Sequence, residues 1–295
     1  MPAKTTELLN EGAAGLDRRP PAEIASLLAA GQISAAATVP HAIHAICAGA
    51  ETMARTIAAG GCLHYAAAGS SGLMAAADAQ ELGGTFSIPA AQLRIHMAGG
   101  LPSGVEMPGG TEDDTNGLEA ALSELTEKDS VIAVSASGST AYTVTAAQIA
   151  RSKGATVIGI ANNAGSELLN LADHAVLLET PPEVLSGSTR MGAGTAQKIA
   201  LNMLSTLMAV HLGHVHDGMM VNVHADNMKL RARACGIVAR IARVPEAAAQ
   251  QALDAADGDV KTAVLMAASG LAREAARERL TQTQGHLRPA LERTA

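Results

Sequence analysis

SVIAVSASGST, residues 130–140, is an apolar run that passes into a turn of serine, glycine and threonine. A short run apolar on both sides suits a strand covered on both faces, and the turn marks its carboxyl end. Four other stretches follow the same plan: CLHYAAA (62–68), QLRIHMA (92–98), TVIGIAN (156–162) and HAVLLET (174–180). Helical patterns lie between them. Apolar strands alternating with helices read as βαβ units, so the chain is expected to be α/β, with five parallel strands in a buried sheet.

Outside this region the sequence reads as helical. PPAEIASLLAAG (20–31) has proline at its entry and glycine at its exit, the usual asymmetry of helix ends. An Ala-rich pattern then runs to about Gly60, where Gly60-Gly61 breaks it. After Thr180 a long helix is expected from about Gly194 to Leu212 and another from about Val223 to Ala242. From Val244 the composition shifts to VPEAAAQQALDAADGDVKTAVLMAASG and the charged AREAARERLTQTQG. This predicts two domains, residues 1–243 with the sheet and 244–295 as a small helical bundle.

Composition excludes several classes of function. Of 295 residues 48% are hydrophobic, which argues for a packed core and against disorder. There is no tryptophan, one phenylalanine and two tyrosines, so stacking platforms for sugars or bases are not available. The formal net charge of −7 argues against a nucleic-acid partner. An anionic small molecule stays compatible with it, because helix N-termini and backbone N–H groups bind phosphate without net positive charge. The three cysteines, Cys47, Cys62 and Cys235, are an odd, widely spaced set that fits a reducing compartment. Cys62, opening an apolar run, is expected to be buried and inert. With no signal-peptide pattern at the start and no uninterrupted apolar run of spanning length, a cytoplasmic chain without a membrane partner is expected.

In open α/β sheets ligands sit beyond the carboxyl ends of the strands. Two loops there are rich in small and hydroxyl residues: AAAGSSGL (66–73), with Ser70, Ser71 and Gly72, and SASGST (135–140), with Ser135, Ser137, Gly138, Ser139 and Thr140. Such loops let backbone and hydroxyls close around a phosphate; the same residues also serve as ordinary helix N-caps. A GxGxxG fingerprint is missing from the first strand-turn-helix, which disfavours NAD. Two carboxylates stand near these loops. Glu81 is expected at the end of the helix after the first loop, closed by Gly83-Gly84, and Glu112 follows a glycine pair before a predicted helix. They can form an acid–base pair on a phosphosugar, or be a solvated helix-end acid and a first-turn acid.

Nearly end to end, the chain resembles the N-acetylmuramic acid 6-phosphate etherase family. The resemblance rests on TELLNEG, AAGSSGL before DAQE, GGTEDD, SASGSTAYT, NAGS (163–166), EVLSGSTRMGAGTAQKIALNMLST (183–206), VNVHADNMKL (221–230) and DVKTAVLM. It implies a doubly wound sheet of the sugar isomerase (SIS) type, a helical appendage, and a homodimer with its sites near the subunit interface. It also implies a lyase that removes lactate from C3 of the sugar phosphate and then adds water, with neither metal nor organic cofactor. Glu81 matches the acid for the leaving group and Glu112 the base at C2. Ser186, Ser188 and Lys198 fall in the most specific segment and join the two loops as implied substrate contacts.

Departures from the family bear on the substrate. The family's cations are replaced by Leu73, Ser139 and Gly192, its prolines after the first glutamate by Gly83 and Gly84, and the glutamate opening the second motif by Gly109. Fewer cations weaken the hold on phosphate or carboxylate; Arg190, Lys198 and Lys229 remain as partners. His96 is either a replacement cation facing the site or a core histidine hydrogen-bonded to backbone, His224 is a further candidate in a family-like segment before Asp226-Asn227, and His64 is either a core or a site residue. His211, His214 and His216 read as a partly exposed cluster without a metal, and His41 and His44 as surface residues. Another phosphosugar isomerase or dehydratase, or a sugar-phosphate sensor without turnover, are the competing readings.

Overall fold

The structure is a computed structural model that describes residues 5–107, 110–223, 225 and 227–292. Three 3-10 turns between Thr5 and Arg18 lead into helix α1 (Pro21–Ala36), and α2 (Ile43–Ala58) follows. Then come β1 (Leu63–Ala67), α3 (Gly69–Phe86), β2 (Leu93–Met97), the single turn α4 (Leu118–Ala121) and β3 (Ser130–Ser135). The alternation continues with α5 (Ala141–Ser152), β4 (Thr156–Ala161), α6 (Glu167–Leu171), β5 (His174–Leu177) and α7 (Gly192–His211). A two-stranded ribbon, β6 (Val215–His216) and β7 (Met219–Met220), precedes α8 (Met228–Ala242), α9 (Glu246–Ala255), α10 (Val260–Ser269), α11 (Arg273–Gln282) and α12 (Leu287–Glu292).

All five expected strands form, and they make one parallel sheet in the order β2-β1-β3-β4-β5. Neighbouring residues of a strand face opposite sides, and the side chains divide accordingly. Ala66, Val131, Ala133 and Val157 pack with Leu118, Leu122 and the alanines of α5. On the other side Ile158 meets Gly49 of α2, where a Cβ would lie 3.0 Å from Leu204 of α7. The sheet is therefore doubly wound. In this strand order the connections diverge between β1 and β3, and the crevice for a ligand opens there.

The chain divides into two compact units, Met1–Gln80 with Ala91–Ser205, and Glu81–Ala90 with Thr206–Ala295. The boundary expected near Arg243-Val244 falls inside the second unit. Val238 and Ala234 of α8 share a core with Leu253 of α9 and with Val260 and Val264 of α10, so α8 belongs with the C-terminal helices. Asn227 caps α8 by accepting from the Leu230 N–H (3.0 Å), and Asp259 caps α10 by accepting from the Thr262 N–H (2.7 Å). The ribbon was not anticipated from the sequence. Asp217 (φ 46) and Gly218 (φ 73) form its turn, a mirror-image hairpin turn that Asp-Gly pairs favour.

In the second unit, half-buried His214 and buried Lys261 have their ionisation displaced by burial. Burial, then the Lys261 charge, hold His214 down at about 4; burial lowers Lys261 to about 8 while its ammonium donates to the Gly285 carbonyl (3.0 Å). A histidine whose folded pKa is depressed stays neutral while the unfolded chain takes up a proton. Its contribution to stability is complete above pH 6.5 and is lost as the pH falls towards 4. Urea titrations across that window are expected to lose about 1 kcal/mol per pH unit from this group, and His214→Gln is expected to flatten the slope by that amount.

Other elements depart from expectation. Helix α1 runs through Gly31, and α3 runs through Gly83-Gly84 to Phe86, because interior glycine costs a helix only about 1 kcal/mol and buried neighbours outweigh it. Leu82, Phe86 and Ile88 are those neighbours, and Ser87 at φ 54 ends the helix. A Cβ on Gly84 would meet nothing within 4 Å, so Gly84→Ala is expected to add about 0.5–1 kcal/mol, read as a raised Tm. Pro21–Ala58 is also long and apolar enough, by length and composition, to cross a membrane, where no such run was expected. A 3-10 turn at Val39–Ala42 divides it into two helices of 16 residues, each short of the roughly 20 that a span needs.

Candidate active site

The two hydroxyl-rich loops leave the carboxyl ends of β1 and β3, which are adjacent strands. In the second loop Ser135 Oγ lies 2.8 Å from Thr140 Oγ1 and 3.3 Å from Ser137 Oγ, and Ser135 Oγ accepts from the Gly138 N–H (3.0 Å). The Ser139 N–H donates to Ser137 Oγ (3.2 Å). Thr140 stands at the N-cap of α5 without making a side-chain cap bond; its hydroxyl turns into the loop. Gly138 holds the turn at φ 66, and a Cβ there would lie 2.2 Å from Ser166 Oγ. Only glycine fits that position.

In the first loop Ser71 is buried and Ser70 half-buried. Gly72 is shaped by packing: a Cβ would meet the Met97 side chain at 3.0 Å, so the missing side chain lets α3 approach the end of β2. Gly69 has the more informative neighbour. A Cβ on it would fall 2.5 Å from Glu112 Oε1. The Glu112 carboxylate thus rests against the first residue of α3, where backbone N–H groups and the helix dipole favour an anion. Its main-chain carbonyl accepts the Tyr142 N–H in the first turn of α5 (3.1 Å). One exposed glutamate spans both loops.

Glu112, Asp113 and Asp114 precede α4, which begins only at Leu118, so they are not first-turn acids. Asp114 instead accepts from the Asn116 N–H (2.9 Å) in a local turn. Glu81 is exposed and sits inside α3, not at its end. It follows Gly69 by twelve residues, about 18 Å of helix rise.

The loop before α7 is organised by a residue that sequence reasoning passed over. Glu183, 6% exposed, accepts from the Gly192 N–H (2.9 Å) and the Ala193 N–H (2.8 Å), which caps α7 with a buried carboxylate. Gly192 is tightly enclosed: a Cβ there would lie 3.0 Å from Ala35 and 3.1 Å from Glu183 Oε2. Ser186 is exposed and donates to the Leu8 carbonyl (3.4 Å); Ser188 is half-buried, and Arg190, Lys198 and Lys229 are exposed.

The N-terminal turns reach the sheet through Asn163, which donates to Thr6 Oγ1 (3.1 Å) and to the Ala136 carbonyl (3.0 Å). Beside it Gln197 donates to Asn162 (2.9 Å). Two amides directly after a strand of a parallel sheet were the available sign of this network. Asp78, another residue passed over, accepts from Tyr65 Oη (3.1 Å), Asn202 (2.9 Å) and Ser205 (2.9 Å), tying β1, α3 and α7 together.

The histidines correct several expectations. His96 does not serve as a replacement cation. Its Nε2 lies 2.9 Å from His64 Nδ1 with the rings parallel, and burial brings its pKa to about 4, so it is neutral at physiological pH. His64 is buried beside it. His211 is exposed, His214 half-buried and His216 buried against Asp217, so the 211–216 cluster is partly exposed, as expected. His41 and His44 are exposed as expected. His224 and Gly109 lie outside the described residues.

The SIS domain family model matches residues 112–212. An N-acetylmuramic acid 6-phosphate etherase of Streptomyces avermitilis is 39% identical over 289 residues, 97% of this chain and 93% of the relative. One of Deinococcus radiodurans is 40% identical over 290 residues, 98% and 95% of the two chains. This chain belongs to the N-acetylmuramic acid 6-phosphate etherase family. A solved Bacteroides fragilis structure, assigned as a phosphosugar isomerase involved in capsule formation, superposes with a TM-score of 0.53 at 20% identity, over 68% of this etherase-family chain and 99% of its own. That likeness shows the shared SIS fold. Within this etherase-family chain, the three positions where the resemblance led us to expect cations differ in setting. Leu73 and Ser139 are exposed, whereas Gly192 is buried against the Glu183 carboxylate.

Proposed function

We propose that the chain is a carbon–oxygen lyase that cleaves the lactyl ether of N-acetylmuramic acid 6-phosphate, giving N-acetylglucosamine 6-phosphate and D-lactate. The observation that carries this reading is Glu112, with its carboxylate at the start of α3 and its carbonyl on the first turn of α5. A sugar anchored by its phosphate in the Ser135–Thr140 loop and the Ser70–Gly72 turn has a carboxylate beside it. Ring opening exposes the aldehyde at C1 and acidifies the C2–H. Glu112 removes that proton, the C3–O bond breaks, and Glu81 protonates the departing lactate oxygen. Water then adds its hydroxyl to C3 and a proton returns to C2, so the sum is ether plus water. The residues supply the acid and base themselves, and neither a metal nor an organic cofactor enters the steps.

The working species is a homodimer with its sites near the subunit interface. Both glutamates are exposed in the single chain, as side chains that a second subunit covers would be. In a dimer, Glu81 of the partner subunit approaches the sugar held by Glu112, and the second chain excludes water from the reacting carbons. The compartment is the cytoplasm, where Cys47, Cys62 and Cys235 remain free thiols.

Incubation of the purified chain with N-acetylmuramic acid 6-phosphate, with D-lactate measured enzymatically, tests the reading. Stoichiometric release of lactate and N-acetylglucosamine 6-phosphate is expected; binding of the sugar phosphate without lactate release would overturn it.

A further inference from the structure

We propose that Cys62, His64 and Asp129 form a zinc site at the start of the sheet, remote from the catalytic loops. One donor atom from each of the three lies within 4.8 Å of the others. Tetrahedral zinc with bonds of about 2.0–2.3 Å needs donors about 3.3–3.8 Å apart, so a closing movement of about 1 Å completes the set, with water as the fourth ligand. Asp129 precedes β3, and Cys62 and His64 flank the first residue of β1. The hydroxyl loops leave the opposite ends of these strands, about 15 Å away.

Each donor is already oriented. Asp129 Oδ1 accepts from the Cys62 N–H (2.7 Å), and Oδ2 accepts from the Thr126 N–H (2.7 Å) and Thr126 Oγ1 (2.9 Å). A carboxylate has about four lone-pair positions, so three bonds fix it and leave one for a cation. His64 Nδ1 is engaged by His96 Nε2 at 2.9 Å, which sets the ring and leaves its second nitrogen as the metal donor. A partner on the far nitrogen is the usual support of a metal-bound histidine. The Cys62 thiol is half-exposed, contrary to its expected burial, and donates to the Ala91 carbonyl at 3.4 Å, a bond given up when the thiol proton leaves; it supplies both the soft ligand and the entry path. Thiolate with imidazole selects zinc over magnesium or calcium. On binding, the thiol proton goes to solvent and the sulfur–metal bond replaces it. The ion would join β1 to β3 and, through His96, to the edge strand β2.

The test uses the full chain, reduced and stripped with chelator, titrated with zinc against a chromophoric chelator. One equivalent per chain is expected. Cys62→Ser and His64→Gln are expected to abolish it, and His96→Gln to weaken it about 10–100-fold at unchanged stoichiometry. Cobalt is expected to give a thiolate charge-transfer band that Cys62→Ser, a change at a half-exposed position, removes without unfolding the chain. No binding, zinc retained undiminished in Cys62→Ser, or a cobalt spectrum lacking the thiolate band would each overturn the site.

Discussion

Co-expressed Glu81→Gln and Glu112→Gln chains are expected to recover about a quarter of the activity of the unmodified enzyme, although each variant alone is nearly inactive. Loss of a general acid or base costs about 10²- to 10⁴-fold, so each homodimer should fall by that factor in lactate release. If Glu81 of one subunit serves the Glu112 of the other, a mixed dimer holds one complete site and one carrying both glutamines. Random pairing makes half the dimers mixed, so about a quarter of all sites are whole. If both glutamates act within one chain, no mixed dimer has a complete site and the mixture stays as inactive as its parts. That result would overturn the shared site while leaving the etherase reading intact; full activity in both single variants would instead remove the acid–base reading. The two roles separate by isotope exchange. Glu81→Gln should still exchange the C2 proton in deuterated water, and Glu112→Gln should not. Full exchange in Glu112→Gln would show that another group is the base.

The parallel sheet was legible because its strands are covered on both faces: Val131, Ile132, Ala133 and Val134 are all buried, and such a run has few other homes. The loops were legible for the same topological reason. Boundaries that depend on tertiary packing were not. Gly83-Gly84 looks like a helix stop, yet Leu82 and Phe86 are buried and carry α3 through it. Glu112 looks like a first-turn acid, but the helix behind it shrinks to Leu118–Ala121, and only the three-dimensional structure shows its carboxylate against Gly69. Glu183 and Asp78 were hidden by their chemistry. A buried carboxylate is costly unless donors meet it, and the donors here come from Gly192 and Ala193 in one case and from Tyr65, Asn202 and Ser205 in the other, partners that no local pattern announces. Which of its two readings His96 takes was hidden because its position in a strand does not reveal that His64 occupies the nearest diagonal place on the next strand.

Gly69→Ala is expected to lower kcat/KM by about 100-fold while costing the fold only about 1–2 kcal/mol, and the contrast between the two numbers is the content of the prediction. Gly69 has φ 53, where an alanine costs about 1–2 kcal/mol. The added methyl would fall 2.5 Å from Glu112 Oε1, too close to coexist. The carboxylate is the far end of a flexible side chain, so it moves aside and the protein stays folded. A displacement of about 1 Å in a catalytic group is enough to cost about 10²-fold. The loss should fall on kcat more than on KM, since the Ser135–Thr140 part of the proposed phosphate site is untouched and only the neighbouring Ser70–Gly72 turn lies beside the change. Gly84→Ala in the same helix supplies the comparison: it meets nothing within 4 Å and should leave turnover unchanged. Urea unfolding and lactate release, measured on both variants, read the two quantities. Equal activity in Gly69→Ala and the unmodified chain would mean that the Glu112 carboxylate does not need its place at the start of α3 for the reaction, and the proton-abstracting role would have to pass to another group.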